Sequence, residues 1–198
     1  MATRRGRPPT FDRDEVLTRL LFLFWEKGYD GTSQADMVER AGISSSSLYN
    51  SFGNKPEIFE AVAERYNEMM RANLAGLHDG TGGLADVAGF LSGAAELTRG
   101  GQAPPGCLMV RTMTELGGRA SAPPSAERCT QTYRDQITDA VSAALGRAVA
   151  LGEISAGEVD AKAQLVLMIL LGAMTVAVSN PETGAAMLDT GHDVVTSW

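Results

Sequence analysis

The chain has 198 residues, of which 44% are hydrophobic and 6% aromatic, and its formal net charge is −7. This length allows one large or two small domains, and the apolar content allows a substantial core. The negative balance excludes a protein that holds nucleic acid through its overall charge, and two cysteines are too few for a secreted disulfide scaffold.

Residues 1–11 form a basic arm that contains two prolines. Arg4, Arg5 and Arg7 lie there with no acidic neighbour, whereas residues 72–198 carry 7 basic and 13 acidic side chains. A flat cationic segment of this kind can lie in a narrow A·T minor groove, although it can equally be an ordinary charged tail. No apolar stretch marks a signal peptide at this end, so we expect a cytoplasmic protein.

The first predicted helix begins after the arm. Asp12 can cap it, with Glu15 completing a capping box, and Gly28 ends it. Its apolar side chains recur at helical spacing on one wide face. They are Val16, Leu17, Leu20, Leu21, Phe24 and Trp25. We expect this face to be the wall against which the following helices pack.

A short helix is predicted to follow Thr32 and to end at Gly42. Thr32 or Ser33 can cap it, and Ser33 with Asp36 fits a capping box. Gly42 can adopt the left-handed conformation that ends a helix, so a tight turn is expected there.

A second short helix follows that turn. Ser44 can cap it, and Leu48 and Phe52 point inward because they lie four residues apart. The outward side chains are hydroxyls, a phenol and an amide, which suit phosphates and base edges in a major groove. These outward residues are Ser45, Ser46, Ser47, Tyr49 and Asn50. Residues 32–52 are therefore predicted to be a DNA-binding helix-turn-helix.

A long helix is predicted over residues 56–77, with Pro56 in its first turn. Lys55 lies at the positive N-terminal end of that helix, where backbone N–H groups and an ammonium can share one phosphate. A solvated loop charge is the alternative. The predicted DNA-contacting residues are Arg4, Arg5, Arg7, Thr32, Ser33, Ser44, Ser45, Ser46, Ser47, Tyr49, Asn50 and Lys55.

Three segments together resemble the TetR/AcrR family of one-component bacterial regulators. They are GRPPTFDRDEVL, FWEKGYDGTS and DMVERAGISSSSLYNSFGNKPEIFEAV, and the resemblance covers about residues 5–65. It implies an all-α fold of about nine helices, with a three-helix DNA-binding domain over residues 1–55. Residues 56–198 would then form a helical ligand-binding and dimerisation domain, in which helix 56–77 is the connecting lever.

Five further helices are predicted, over residues 84–99, 106–119, 126–151, 159–178 and 182–197. The apolar run at 165–178 has 14 residues, fewer than the roughly 20 that span a bilayer, so no membrane span is predicted. Helix 159–178 is apolar round too much of its circumference for an exposed helix. Paired with the last helix it would form a four-helix bundle in a homodimer, with close approach at Gly172, Ala173 and Ala177.

Cys107 follows a Pro-Pro-Gly segment at the first turn of predicted helix 106–119. The helix dipole, with Arg111 one turn later, can stabilise a thiolate there. In a subset of the resembled family, a Cys at this position is similar to one that senses electrophiles or oxidants. The alternative is a small buried hydrophobe, which free Cys usually is. Cys129 lies on another predicted helix and pairs with Cys107 only if the fold brings them together.

A pocket for an unknown small apolar ligand is expected among the helices of the second domain. Its predicted walls are Phe90, Leu91, Cys107, Leu108, Met109, Met113, Tyr133, Ile137 and Met168. Methionine-rich walls adapt to varied apolar ligands, but Met at helical spacing is more often simple core.

No catalytic, cofactor or metal-binding pattern is present in the sequence. His78 and His192 are isolated, and neither has partners at ligand spacing. The predicted function is a DNA-binding transcriptional regulator, not an enzyme: a homodimeric repressor released from a palindromic operator by a ligand. A thiol sensor acting through Cys107 is the first alternative. An interaction module whose helix-turn-helix no longer binds DNA is the second.

Overall fold

The computed structural model describes residues 11–101 and 103–198, which form ten α-helices and one turn of 3-10 helix. The first four are α1 (Arg13–Lys27), α2 (Gln34–Ala41), α3 (Ser45–Phe52) and α4 (Lys55–Asn73). After them come α5 (Ala75–Asp79), α6 (Leu84–Gly100), α7 (Leu108–Leu116), α8 (Pro124–Ala150), α9 (Val159–Ala177) and α10 (Pro181–Thr196). No strand occurs in these ranges, so the predicted all-α class is confirmed.

The ends of the N-terminal helices lie where the capping residues predicted them. The Asp12 carboxylate accepts hydrogen bonds from the first turn of α1, and Ser33 forms the capping box of α2 with Asp36. Gly42 ends α2 with a φ of 68°, a left-handed conformation that any side chain would strain. The tight turn between α2 and α3 therefore depends on this glycine.

The first four helices share a core centred on α1, which packs against α2 and α4. Phe24 of α1 meets Phe59 of α4 edge to face, with ring centroids 5.5 Å apart. Met37 of α2 and Leu48 of α3 are completely buried beside them. The predicted inward face of α1 is thus the wall on which the helix-turn-helix rests.

The connecting helix is shorter than predicted. It ends at Asn73, and after Leu74 the chain turns into α5, so the predicted single helix over 56–77 is wrong at its C-terminal end. The guanidinium of Arg147 in α8 donates to the carbonyl oxygens of Leu77 and His78, at 2.7 and 3.1 Å. These bonds fix α5 to α8, which also contacts α4, α6, α7 and α9 as the central helix of the second half.

Helix α7 begins at Leu108, two residues later than predicted. Gly106 has a φ of 79° and cannot belong to a right-handed helix. Its Cα also lies so close to α9 that a Cβ would come 2.8 Å from the Met174 carbonyl oxygen. The loop before α7 is therefore held against α9.

Helix α9 is the most apolar helix of the chain. By length and composition alone residues Ala156–Ala177 could cross a membrane, and 33% of the most apolar window is buried within the chain. The buried side packs against α8 and α10. Much apolar surface on this helix therefore remains uncovered in a single chain.

The small residues of α9 have a different partner from the predicted one. Ala173 and Ala177 are completely buried, and a Cβ on Gly184 of α10 would lie 2.6 Å from the Ala177 Cβ and 2.8 Å from the Ala173 carbonyl oxygen. The prediction that Ala173 and Ala177 contact a second subunit is therefore wrong, because they pack against α10 of the same chain. Gly172 is half-buried, facing the Met187 methyl group.

This close approach predicts that Gly184→Ala destabilises the fold by about 1–3 kcal/mol, since backbone atoms of α9 would have to move. Gly146→Ala is the matched control, because a Cβ at Gly146 of α8 meets nothing within 4 Å. There the better helix propensity of Ala should stabilise by up to about 1 kcal/mol. Urea unfolding of both variants measures the difference, and equal effects would contradict the packing of α9 on α10.

Candidate nucleic-acid interface

Helix α3 presents a polar surface that two glycines frame. It starts after the turn at Gly42 and stops at Gly53, whose φ is 82°. Leu48 and Phe52 anchor its inner side in the core, as predicted. The exposed side chains on its outer side are Ser45, Ser46 and Asn50. The helix is thus held on one side and free on the other.

The serines at the start of α3 hydrogen-bond to one another. The Ser44 hydroxyl accepts the Ser47 backbone N–H at 3.1 Å and lies 2.9 Å from the Ser47 hydroxyl and 3.1 Å from that of Ser46. Ser44 is therefore the cap that begins α3, while its other hydrogen bonds connect the serine hydroxyls into one cluster.

Tyr49 is less exposed than predicted. Its ring is half-buried and packs on the core of the N-terminal unit up to residue 55, called the head from here on. Its hydroxyl is buried and has no hydrogen-bond partner among the described residues, a costly arrangement for a phenol. The phenol oxygen therefore does not lie on the outer surface of α3.

Lys55 lies in a defined position at the N-terminus of α4. Its ammonium group is 4.4 Å from the centroid of the Tyr29 ring, at cation–π distance. Asn54 caps the same helix end by accepting the Glu57 N–H at 3.2 Å. The ammonium and the N-terminal end of α4 thus make a local positive site beside α3.

Thr32 does not have the predicted position. Its side chain is completely buried, and its hydroxyl donates to the Gly28 carbonyl oxygen at 2.7 Å. The prediction that this side chain contacts a phosphate is therefore wrong; it closes the turn between α1 and α2 instead. Ser33, by contrast, is exposed at the start of α2.

Most cations of residues 11–55 are engaged with neighbouring groups. Lys27 pairs with Asp36 at 2.6 Å, and this hydrogen bond, with those from Ser33, holds the pKa of the Asp36 carboxyl far below its usual range. Arg40 pairs with Glu26 at 2.5 Å. The predicted arginines of the arm lie outside the described residues. Lys55 is therefore a basic side chain beside α3 with no acidic partner within salt-bridge distance among the described residues.

Arg13 is a second basic residue next to α3, and its position in the sequence does not predict this contact. Its guanidinium lies 4.5 Å from the centroid of the Phe52 ring and donates to the Ser51 carbonyl oxygen. It therefore binds the C-terminal end of α3, where a cation offsets the negative end of the helix dipole. Only the packing of α1 against α3 brings the two together.

A second candidate site is a cavity of about 440 Å³ lined by residues of α1, α4, α6, α8 and α9 and of the loop before α7. Of the predicted ligand residues, Phe90, Cys107 and Tyr133 line it. The prediction is wrong for six others. Leu91, Leu108, Met109 and Ile137 are buried in the core, Met113 lies by a separate groove, and Met168 is 61% exposed on α9. Helical periodicity gives the inward side of a helix, but it does not distinguish a cavity wall from a filled core.

The cavity also has a wall that sequence reasoning missed, made by α1 of the N-terminal head. Phe22 and Trp25 line it, with ring centroids 6.2 Å apart and planes within 7° of parallel. Trp25 was predicted only as core, and its burial is consistent with that. The cavity and the N-terminal helices that carry α3 therefore share α1.

Cys107 does not have the predicted electrostatic environment. It precedes α7, is completely enclosed, and lies with its sulfur 3.1 Å from the Tyr66 hydroxyl, which donates to it. Burial raises the pKa of the thiol, and the Arg111 guanidinium donates to carbonyl oxygens of Trp25 and Glu26 instead. The predicted thiolate at the start of α7 is therefore wrong.

The cap of α3 can be tested by substitution. Ser44→Ala should destabilise the protein by about 1 kcal/mol, since the Ser47 N–H loses its acceptor. The matched control Ser45→Ala removes an exposed hydroxyl one residue later and should change the stability by less than about 0.5 kcal/mol. Guanidinium unfolding followed by circular dichroism measures both. A cost as large for Ser45→Ala would show that Ser44 does not cap the helix.

The N-terminal part of this chain is similar in sequence to known DNA-binding regulators. The family model described as "Bacterial regulatory proteins, tetR family" matches residues 20–62. The HTH-type transcriptional repressor ComR of Escherichia coli (strain K12) is 36% identical over 121 residues, covering 57% of this chain and 54% of ComR. The chain thus spans about half the length of that relative. The HTH-type transcriptional regulator YezE of Bacillus subtilis (strain 168) is 26% identical over 80% of both chains.

Solved structures match nearly the whole chain. A cysteine mutant of the TetR family transcriptional regulator CifR, complexed with 26bp double-strand operator DNA, superposes with a TM-score of 0.80 at 25% identity. The match covers 95% of this chain and 98% of that one. A TetR family transcriptional regulator from Agrobacterium tumefaciens, at 20% identity and a TM-score of 0.80, shares the fold over 91% of this chain and 95% of its own.

Proposed function

We propose that this chain, which belongs to the TetR family of bacterial regulatory proteins, is a transcriptional repressor that binds a palindromic DNA operator as a homodimer. A small molecule bound in the second half would release it. The observation that carries the proposal is the outer side of α3, which is polar, exposed and fixed at both ends, beside the cation of Lys55. Acting on DNA, the protein would work in the cytoplasm.

Helix α3 supplies the contacts that distinguish bases. Its exposed Ser45, Ser46 and Asn50 carry hydroxyl and amide groups, and an amide can form a bidentate pair with adenine in a major groove. Ser47 is half-buried, so its hydroxyl contributes chiefly to the serine cluster at the start of the helix. Because no side chain of α3 is charged, we assign it to sequence recognition and assign most of the affinity to phosphate contacts nearby.

The phosphate contacts lie around the ends of that helix. Lys55 and the N-terminus of α4 form one of them, and the exposed Ser33 and Ser44 at the starts of α2 and α3 form others. The buried Tyr49 hydroxyl, which lacks a partner among the described residues, would donate to a phosphate only if its ring turned outward. The arm with Arg4, Arg5 and Arg7 would add a minor-groove contact.

The homodimer would form through the uncovered surface of α9 and α10. Met168 of α9 is 61% exposed and Met187 of α10 is 36% exposed, a costly display of large apolar side chains in water. Leu165 and Val194 are half-buried on the same two helices. A second copy packed there would cover these side chains and bring a second α3 to the other half of a palindrome.

The two parts of the chain have different roles in this proposal. Residues 1–55 bind DNA, residues 56–198 bind the ligand and the second subunit, and α4 connects them. A ligand lowers operator affinity only if it binds better to a conformation in which the two heads do not fit the operator. The shared use of α1 by the head and by the cavity gives the ligand a direct contact with the DNA-binding unit.

The alternative thiol sensor is not favoured. The Cys107 thiol is 2% exposed and its pKa is raised by burial, whereas sensing thiols are accessible and ionise easily. The interaction module without DNA binding is not favoured either, because a related structure of this fold is complexed with operator DNA.

The role of Lys55 predicts a change in salt dependence. Lys55→Gln should weaken binding to every operator sequence alike and reduce the slope of log affinity against log salt by about one unit, because one phosphate contact is lost. Lys162→Gln is the matched control, since that ammonium lies over the Trp198 ring at the far end of the fold and should leave the slope unchanged. Fluorescence anisotropy at several salt concentrations measures both. An unchanged slope for Lys55→Gln would contradict the assignment.

The dimer surface predicts a change in mass. The double variant Met168→Glu with Met187→Glu should sediment as a monomer of 20.9 kDa, while the parent chain sediments at twice that mass. Leu151→Glu is the control, because Leu151 is 58% exposed but lies at the end of α8, outside α9 and α10. Sedimentation velocity distinguishes them. A double variant that remains a dimer would place the interface elsewhere.

A further inference from the structure

The cavity beside α1 has a continuous aromatic wall. The Trp25 ring meets that of Tyr66 edge to face at 5.1 Å between centroids, and Tyr66 lies 6.2 Å from Tyr133. Phe22 extends the wall on the other side of Trp25. The volume of the cavity, about 440 Å³, lies in the roughly 300–1,000 Å³ range of small-molecule sites. Such a wall suits a flat, apolar molecule.

The described residues that line the cavity include no Asp, Glu, Lys, Arg or His. An ionised ligand entering it would lose its hydration without gaining a countercharge, which strongly disfavours its binding. The lining therefore selects uncharged molecules.

Three polar side chains of the cavity lining, those of Trp25, Tyr66 and Tyr133, can donate hydrogen bonds. Trp25 is 8% exposed, and its indole N–H is buried without a partner among the described residues. An indole nitrogen can only donate. Tyr66 donates to the Cys107 sulfur at 3.1 Å, and the Tyr133 side chain lies near the same thiol. Sulfur is a weak acceptor, so an oxygen reaching these groups would give them a better partner.

Two glycines of α6 line the cavity without contributing a side chain. Gly89 and Gly93 lie four residues apart on the cavity side of the helix, and a Cβ on either would meet nothing within 4 Å. A glycine inside a helix is less stable than Ala there, because it loses more backbone freedom on folding. The chain retains this less stable residue at two positions that face the cavity.

We infer that this cavity binds an uncharged aromatic molecule bearing a carbonyl-type oxygen, which accepts hydrogen bonds from donors among Trp25, Tyr66 and Tyr133. The inference rests on the proposed function, since it names the chemical class of the releasing ligand. The bound molecule contacts α1 of the DNA-binding head directly through Phe22 and Trp25.

Three matched probes test the class: 2-acetylnaphthalene, 2-ethylnaphthalene and 2-naphthoate. The first is uncharged with a carbonyl acceptor, the second lacks the acceptor, and the third is an anion. The full chain carrying Trp198→Phe keeps Trp25 as its single tryptophan, so quenching of its fluorescence reports binding at the cavity. We expect the ketone to bind about tenfold tighter than the hydrocarbon and the carboxylate to bind at least about 100-fold more weakly than the ketone.

Two variants locate the binding. Tyr66→Phe with Tyr133→Phe should remove most of the preference for the ketone while leaving binding of 2-ethylnaphthalene unchanged. Gly93→Leu should fill the space over the cavity and abolish binding of all three probes, without loss of thermal stability. Gly146→Leu is its control, because Gly146 is equally open but lies outside the cavity, and it should leave binding intact.

Equal affinity for the ketone and the hydrocarbon, tight binding of the carboxylate, or no binding of any probe would overturn the inference. Unchanged binding in Gly93→Leu would also overturn it. Operator binding is measured separately by gel shift without any probe. A chain that binds DNA but fails these tests retains the proposed function, whereas a chain that passes them without binding DNA loses the proposed function and keeps the site.

Discussion

A polar clamp between α7 and the end of α1 holds the DNA-binding head to the rest of the molecule. The Glu115 carboxylate accepts the backbone N–H groups of Tyr29 and Asp30, at 2.9 and 2.6 Å. One turn earlier, Arg111 donates to the last carbonyl oxygens of α1. Without these contacts the end of α1 would present unsatisfied donors and acceptors at the junction. The turn can take this course because Gly28, with a φ of 75°, has no side chain to collide with Glu115.

The clamp determines where Lys55 lies. Tyr29, whose N–H it binds, stacks with Phe24, meets Phe59 edge to face and supports the Lys55 ammonium on its ring. The helix that carries the clamp begins beside Cys107 at the cavity wall. Helix α7, which has nine residues, thus connects the candidate ligand site with the turn that positions Lys55. In the proposed release from DNA, a bound ligand could therefore act on the head through α7, which is shorter than α4.

The sequence predicted the head much better than the second half, for a local reason. Caps such as Ser33 and Ser44, the glycine turn at Gly42 and the four-residue spacing of Leu48 and Phe52 are decided within a few residues, and the structure has them as predicted. The burial of Thr32, the half-burial of Tyr49 and the position of Arg13 depend on neighbours from other helices. No local pattern contains that information. In the second half, helices were predicted but cavity walls were not, because core and cavity share the same apolar periodicity.

The central claim is that two copies of α3 bind a two-fold symmetric DNA sequence. Selection of binding sites from random double-stranded DNA by the full-length purified protein tests it most directly. The account predicts enrichment of a palindrome with half-sites separated by about one helical turn, roughly 10–10.5 base pairs, or a multiple of it. Failure to enrich any sequence, or enrichment of a single half-site without a symmetric partner, would contradict it.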